Sequence, residues 1–242
     1  QCNCAYWHGV FGGLYLPHLR DALYRKILAS ERRQDDARHP AGPFLRVDRR
    51  DLDRDGHPDV RLINREIGVQ LAPVRGGALE ELDVFGLDRS VSHGMSRRAE
   101  AYHERLKEAA AAGTVVLTGA AAVAADAGGG SSASNGGDDG SVKSIHDRVE
   151  MKEPDLDKQL YVDWYRRQSL LDHFFRSDCT LADFHRGSYG EQGGFIEQPY
   201  DATVEESKAG AAVTLRRTAP VWVGGEARRV TVEKIVRLAP TA

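Results

Sequence analysis

The sequence predicts a mainly β protein, an incomplete antiparallel β-sandwich preceded by a short α-helical segment. Three observations carry this. Short alternating apolar runs fill residues 44–85, broken by turn residues at Asp55-Gly56, Pro73 and Gly76-Gly77. A second set of alternating runs closes the chain, with Val230, Val232, Ile235, Val236 and Leu238 among its apolar positions. Near the start, Leu16, Leu19, Leu23 and Ile27 recur at spacings of three and four, which places them on one helical stripe.

Taken in order, Gly12-Gly13 punctuate the opening, and Pro17 suits a first helical turn, where its missing N–H costs nothing. The polar run ERRQDD, then Pro40, Gly42 and Pro43, ends that helix, so residues 1–37 form one segment. A lone helix cannot bury its own stripe, and no adjacent helical segment offers a partner. Its partners are therefore expected upstream. From residue 44 to 242 the sandwich follows. Val60, Leu62 and Asn64 share one side of a first strand, and Val69 with Leu71, then Leu79 with Leu82, mark further strands. Residues 96–113 read as a helix ended by Gly113, with Ala99, Tyr102, Leu106 and Ala109 as its stripe. Residues 119–141 are rich in Gly, Ala and Ser; such side chains bury too little area to offset ordering entropy, so a disordered surface loop is expected. The strand pattern stops at residue 238 without a closing element, so both ends look cut.

Bulk properties narrow the function classes. The chain has 242 residues, 41% of them hydrophobic and 29% charged, and a net charge of −3. That balance argues against a basic nucleic-acid surface. No apolar run approaches the roughly 18 residues that a membrane span requires. Cys2, Cys4 and Cys179 are too few for a disulfide framework, which favours an intracellular, cytoplasmic setting.

Several groups of residues invite chemistry. In Tyr6-Trp7-His8-Gly9 an indole face can stack on a sugar ring, and His or Asn can hydrogen-bond its hydroxyls. The same aromatics can equally pack in a core, with the glycines permitting a tight turn. Cys2, Cys4 and His8 fall short of a zinc site, because the cysteines are one residue apart and no second pair exists. Asp51, Asp53 and Asp55, followed by Gly56, resemble half of a calcium loop to which Asp59 can add a ligand. An EF-hand is excluded, since its twelfth position is Leu62. The alternative is an acidic turn leading into the next strand. Arg97, Arg98, Glu100 and His103 read as a solvated charged cluster, and the neighbouring pairs His146-Asp147 and Asp172-His173 point apart if extended.

The stretch NCAYWHGVFGGLYLPHLR resembles the last short signature of glycoside hydrolase family 57, the α-amylase and 4-α-glucanotransferase group. GGALEELD, SRRAEAYH, SIHDRV and YVDWYRRQSLLDHF resemble that group's C-terminal β-sandwich in order and spacing. The resemblance implies that residues 1–37 end a central helical bundle and that residues 44–242 form most of the sandwich. It implies Asn3, Tyr6, Trp7 and His8 as contacts to an α-1,4-glucan or maltooligosaccharide, with Trp7 as the sugar platform. It implies as partner the chain's own N-terminal catalytic barrel, which carries a Glu nucleophile and an Asp acid/base for a retaining mechanism. Those carboxylates have no counterpart here, so the fragment is expected to be inactive alone and to need no cofactor, calcium at the Asp51–Asp59 loop being the one candidate. A non-catalytic carbohydrate-binding or structural module is the alternative.

Overall fold

The computed structural model describes residues 15–92, 95–117 and 149–241. They divide into two compact units, one formed by residues up to 96 together with 164 onward, the other by residues 97–163. The first unit holds helix α1 (Pro17–Arg38) and two antiparallel sheets. One sheet has five strands in sequence order: β1 (Leu45–Arg50), β2 (Asp59–Asn64), β3 (Ile67–Ala72), β4 (Ala78–Val84) and the short β5 (Arg89–Ser90). In this unit the other sheet runs β10 (Glu226–Leu238), β9 (Gly210–Val223), β8 (Asp201–Ser207).

The expected sandwich is present, and period-two alternation builds it. Val60, Leu62, Val69 and Leu71 turn one face of the five-stranded sheet toward Ala211, Val213 and Leu215 of β9, and both groups lie in one buried cluster. On β10, Val230, Val232, Val236 and Leu238 pack against that cluster, whereas Ile235 stays 42% exposed, on the other face from its neighbours. Strand β8, DATVEES, is an edge strand, and its polar sequence gave no strand signal.

The helix packs on a sheet through a side other than its most apolar stripe. Leu28, not the Leu16–Ile27 stripe, is its buried apolar residue, and Ile27 is 49% exposed. Leu28 packs with Phe44, Ile63 and Phe85, so the partner of α1 is the second face of the five-stranded sheet. Much of the remaining contact is ionic or polar. Arg61 forks onto Glu31 at 3.0 and 2.7 Å and reaches Asp83 at 3.2 Å, Tyr24 donates to Glu81 at 2.8 Å, and Asp35 pairs with Arg46. Alternation explains this: Arg61 and Ile63 must face away from the sandwich core once Val60 and Leu62 face into it.

The second unit contains helix α2 (Ala101–Ala111), a turn of 3₁₀ helix at Leu156–Gln159, and the short parallel pair β6 (Val116–Leu117) and β7 (Glu150–Met151). Helix α2 begins with a capping box, the Glu100 carboxylate accepting from the backbone N–H of His103 while the His103 ring accepts from the backbone N–H of Glu100. It ends as the sequence predicts. The Gly113 N–H reaches Ala110 O, the Thr114 N–H reaches Ala109 O, and Gly113 takes a positive φ of 66°. Of its expected stripe Ala109 is buried, but Tyr102 is half-exposed. Arg97 and Glu100 are thus structural: Arg97 pairs with the fully buried Asp163 carboxylate, and Glu100 caps. The Gly/Ala/Ser stretch 119–141 and the His146-Asp147 pair lie outside the described residues.

Candidate functional site

In the first unit a groove of about 800 Å³ lies between α1 and the face of β2–β4 that carries Arg61. Leu23, Tyr24 and Ile27 of α1 form one wall, Gln70, Glu80 and Glu81 the floor, and residues 166–169 the far wall. Its floor owes its shape to an irregularity in β4. Leu71 pairs with Leu79 but Gln70 pairs with Glu81, so Glu80 is an extra residue, a β-bulge. Without it, strict alternation would send Glu80 and Glu81 to opposite faces. With it, both side chains line the groove while Leu79 and Leu82 both pack on the core.

Glu80 is the hub of the floor. Its carboxylate accepts from Gln70 Nε2 and Gln168 Nε2, each at 2.9 Å, pairs with Arg75, and lies 3.3 Å from Arg166 Nη1. Burial pushes its pKa up, but the amides of Gln168 and Gln70 and the Arg75 guanidinium outweigh burial and hold Glu80 below the usual glutamate range. Glu81 goes the other way: burial raises it, with Asp83 and Glu31 adding to that and only Tyr24 and Arg61 opposing. Burial likewise raises Asp83.

A second cluster ties the sandwich to this floor. Gly76 and Gly77, which precede the bulge, have φ of 70° and 57°, a region that side chains avoid. A Cβ on Gly76 would lie 2.6 Å from a Leu171 methyl. The turn they form aims both carbonyls at Lys234 of β10, whose ammonium lies 2.7 Å from Gly76 O and 3.4 Å from Gly77 O. Lys234 also meets Asp172 at 2.6 Å and the Leu170 carbonyl, and sits 4.4 Å from the Tyr200 ring centroid. Burial pushes the lysine down from the ordinary ammonium range while Asp172 pulls it back up. His173 turns the other way, to Glu191 at 2.6 Å, so adjacent residues of that pair do point apart.

Of the residues singled out from sequence, Asn3, Tyr6, Trp7 and His8, with Cys2 and Cys4, lie outside the described residues. The acidic loop is described. Oxygens of Asp51, Asp53 and Asp59 come within 4.8 Å of one another, and Asp55 is not in that group. Each carboxylate is already engaged. Asp51 accepts from the N–H groups of Asp55 and Gly56, Asp59 accepts from Leu52 N at 3.0 Å, and Arg75 pairs with both Asp53 and Asp55. Calcium takes six to eight oxygens, of which these three carboxylates supply part, with Arg75 paired to Asp53 beside them. Asp59 is 1% exposed; burial, opposed by the Leu52 N–H and reinforced by Glu80 and Asp53, pushes it up to about 6.

The groove went unforeseen because its lining comes from several separated stretches of chain. One signal was present: Leu79 and Leu82 are three apart in a strand whose apolar period should be two, the mark of a bulge. The GGALEELD stretch supplies the turn, the bulge and three carboxylates of this region.

Comparison with known proteins agrees with this architecture. Residues 51–241 match the family described as "Alpha-amylase/4-alpha-glucanotransferase, C-terminal", and residues 1–33 match its "middle domain". A 4-alpha-glucanotransferase of Thermococcus kodakarensis is 32% identical over 98% of this chain and 30% of its own length. An alpha-amylase of Pyrococcus abyssi is 33% identical over 96% of this chain and 29% of its own. The crystal structure of the 4-alpha-glucanotransferase from Thermococcus litoralis superposes with a TM-score of 0.69 at 27% identity, over 98% of this chain and 30% of that one. The chain therefore spans about 30% of the length of the relatives it matches. Among the described residues no helix is long and apolar enough to cross a membrane.

Proposed function

Because the chain belongs to the α-amylase/4-α-glucanotransferase C-terminal domain family, we propose that it is the non-catalytic part of an α-1,4-glucan-processing enzyme of glycoside hydrolase family 57. In this reading a barrel outside the chain supplies the nucleophile and the acid/base carboxylate of a retaining mechanism, whose two carboxyls stand about 5 Å apart. Residues 1–37 end the helical bundle, the sandwich from residue 44 supports the barrel, and Asn3, Tyr6, Trp7 and His8 face the glucan. The enzyme works in the cytoplasm.

The observation that carries the reading is the joint match of the middle and C-terminal domain descriptions along one chain, in that order. The described carboxylates support it too. Three buried ones, Asp59, Asp83 and Glu80, accept hydrogen bonds from a backbone N–H, from Arg61, and from Arg75, Gln70 and Gln168 respectively. Each is held in structural pairings of this kind. The test is direct: the 242-residue chain incubated with maltoheptaose yields no shorter or longer glucans by anion-exchange chromatography. Steady production of either overturns the proposal.

A further inference from the structure

We infer that the groove between α1 and β2–β4 is itself a binding site for a short α-1,4-linked glucan segment, built from residues other than Asn3, Tyr6, Trp7 and His8; the inference rests on the glucan-processing reading for the class of sugar. Its size is right. About 800 Å³ falls in the ordinary range of small-ligand sites, roughly 300–1,000 Å³.

The chemistry of the lining selects a neutral polyhydroxylated ligand. Four arginines and four carboxylates line the groove, so their formal charges cancel. Most of these charges already pair with one another: Arg61 with Glu31 and Asp83, Arg166 with Glu80. An ion entering the groove would have to break those pairs, and a sugar would not. The hydrogen-bonding edges that remain suit hydroxyls. Gln70 and Gln168 each spend Nε2 on Glu80, and their Oε1 atoms accept no hydrogen bond from any described residue. Both amides are thereby held in one orientation with acceptors to offer, which lowers the entropy lost when a ligand binds. Arg166, 49% exposed, supplies donors beside them, and the hydroxyls of Ser92 and Ser169 sit at the rim, 3.4 Å apart. A glucan also shows C–H faces, and Leu23 and the half-exposed Ile27 give α1 an apolar wall to meet them.

The bulge is independent support. Bulges re-aim side chains and are over-represented beside binding and active sites. This one exists at Glu80, and its consequence is to bring Glu80 and Glu81 together onto the groove floor.

Calorimetric titration of the 242-residue chain with maltoheptaose tests the inference. Saturable binding is expected, weakened at least tenfold by Ile27→Arg, which fills the groove from its exposed wall, and by Gln168→Leu. Arg166→Ala, at a half-exposed position, provides a variant whose folding is secure, and a thermal melt verifies all three. Trp7→Ala and replacement of the ligand by cellopentaose separate the alternatives: Trp7→Ala leaves this binding intact, and the β-linked sugar does not bind. Absence of heat with wild type, binding lost in Trp7→Ala but kept in Ile27→Arg and Arg166→Ala, or equal affinity for cellopentaose each overturns the inference. None of these results bears on whether a barrel outside the chain is catalytic, which the product assay reads separately.

Discussion

At the scale of single residues, two buried ionisable groups give the sharpest consequences. Asp59 is raised to about 6 in the fold against an ordinary value of 3.8. Between those values the native state holds a proton that the unfolded chain has released, so the contribution of Asp59 to stability is full below about pH 4 and is lost as pH rises toward 6. Two pKa units correspond to at most about 3 kcal/mol. Asp59→Asn, which keeps an acceptor for Leu52 N–H, removes that slope; urea melts of both proteins from pH 4 to 7 should converge at the acid end and separate above it, with the variant the more stable. Parallel curves would refute the assignment. Since Arg75 already neutralises Asp53 and Asp55, EDTA should leave the melting temperature unchanged, and a rise of several degrees on adding calcium would instead assign an ion to the loop. Lys234 is the other case. Lys234→Met leaves Asp172 with only the Tyr200 hydroxyl and the Gly76 carbonyl without its donor, and should cost roughly 2–3 kcal/mol in urea denaturation. A neutral result would show that water replaces the ammonium.

At the scale of elements, the junction of α1 with the five-stranded sheet is mostly charged, with Leu28 as its one buried apolar contact from the helix. Arg61, side chain 9% exposed, faces Asp83, which is fully buried, so Arg61→Ala leaves a carboxylate unpaired in the interior. That change should destabilise by about 3–5 kcal/mol, whereas Arg61→Ala combined with Asp83→Ala should recover part of the loss. Additive losses would mean that the two do not interact. The elements differ in how visible they are in the sequence. Strands β2 and β3 alternate cleanly because one face meets the sandwich core, and the end of α2 at Gly113 follows from the left-handed backbone that glycine accepts. Strand β8 was invisible, since a polar edge strand carries no burial pattern. The sheet-facing side of α1 carried little signal for a related reason. Leu16, Leu19, Leu23 and Ile27 form the more apolar stripe, yet the helix turns Tyr24, Leu28, Glu31 and Asp35 to the sheet, because the sheet offers arginines there.

At the scale of the whole molecule, the sandwich and the helix that crosses one sheet were legible, the groove between them was not. Sheet alternation is a local property of sequence; a cavity lined by α1, β2–β4 and residues 166–169 exists only once those parts are assembled. The signature GGALEELD links the two levels, since its glycines take Lys234 from the far sheet and its acidic residues take Tyr24, Arg75 and Arg61. A domain so cross-linked is suited to hold a neighbouring catalytic domain in place, which is the central claim. The most direct measurement compares kcat/KM on maltoheptaose for the complete gene product with and without residues 44–242, beside a melt of each. Loss of the segment is predicted to lower the melting temperature and reduce kcat/KM at least a hundredfold, roughly 2.7 kcal/mol of transition-state stabilisation. Full activity and unchanged stability without it would contradict the account.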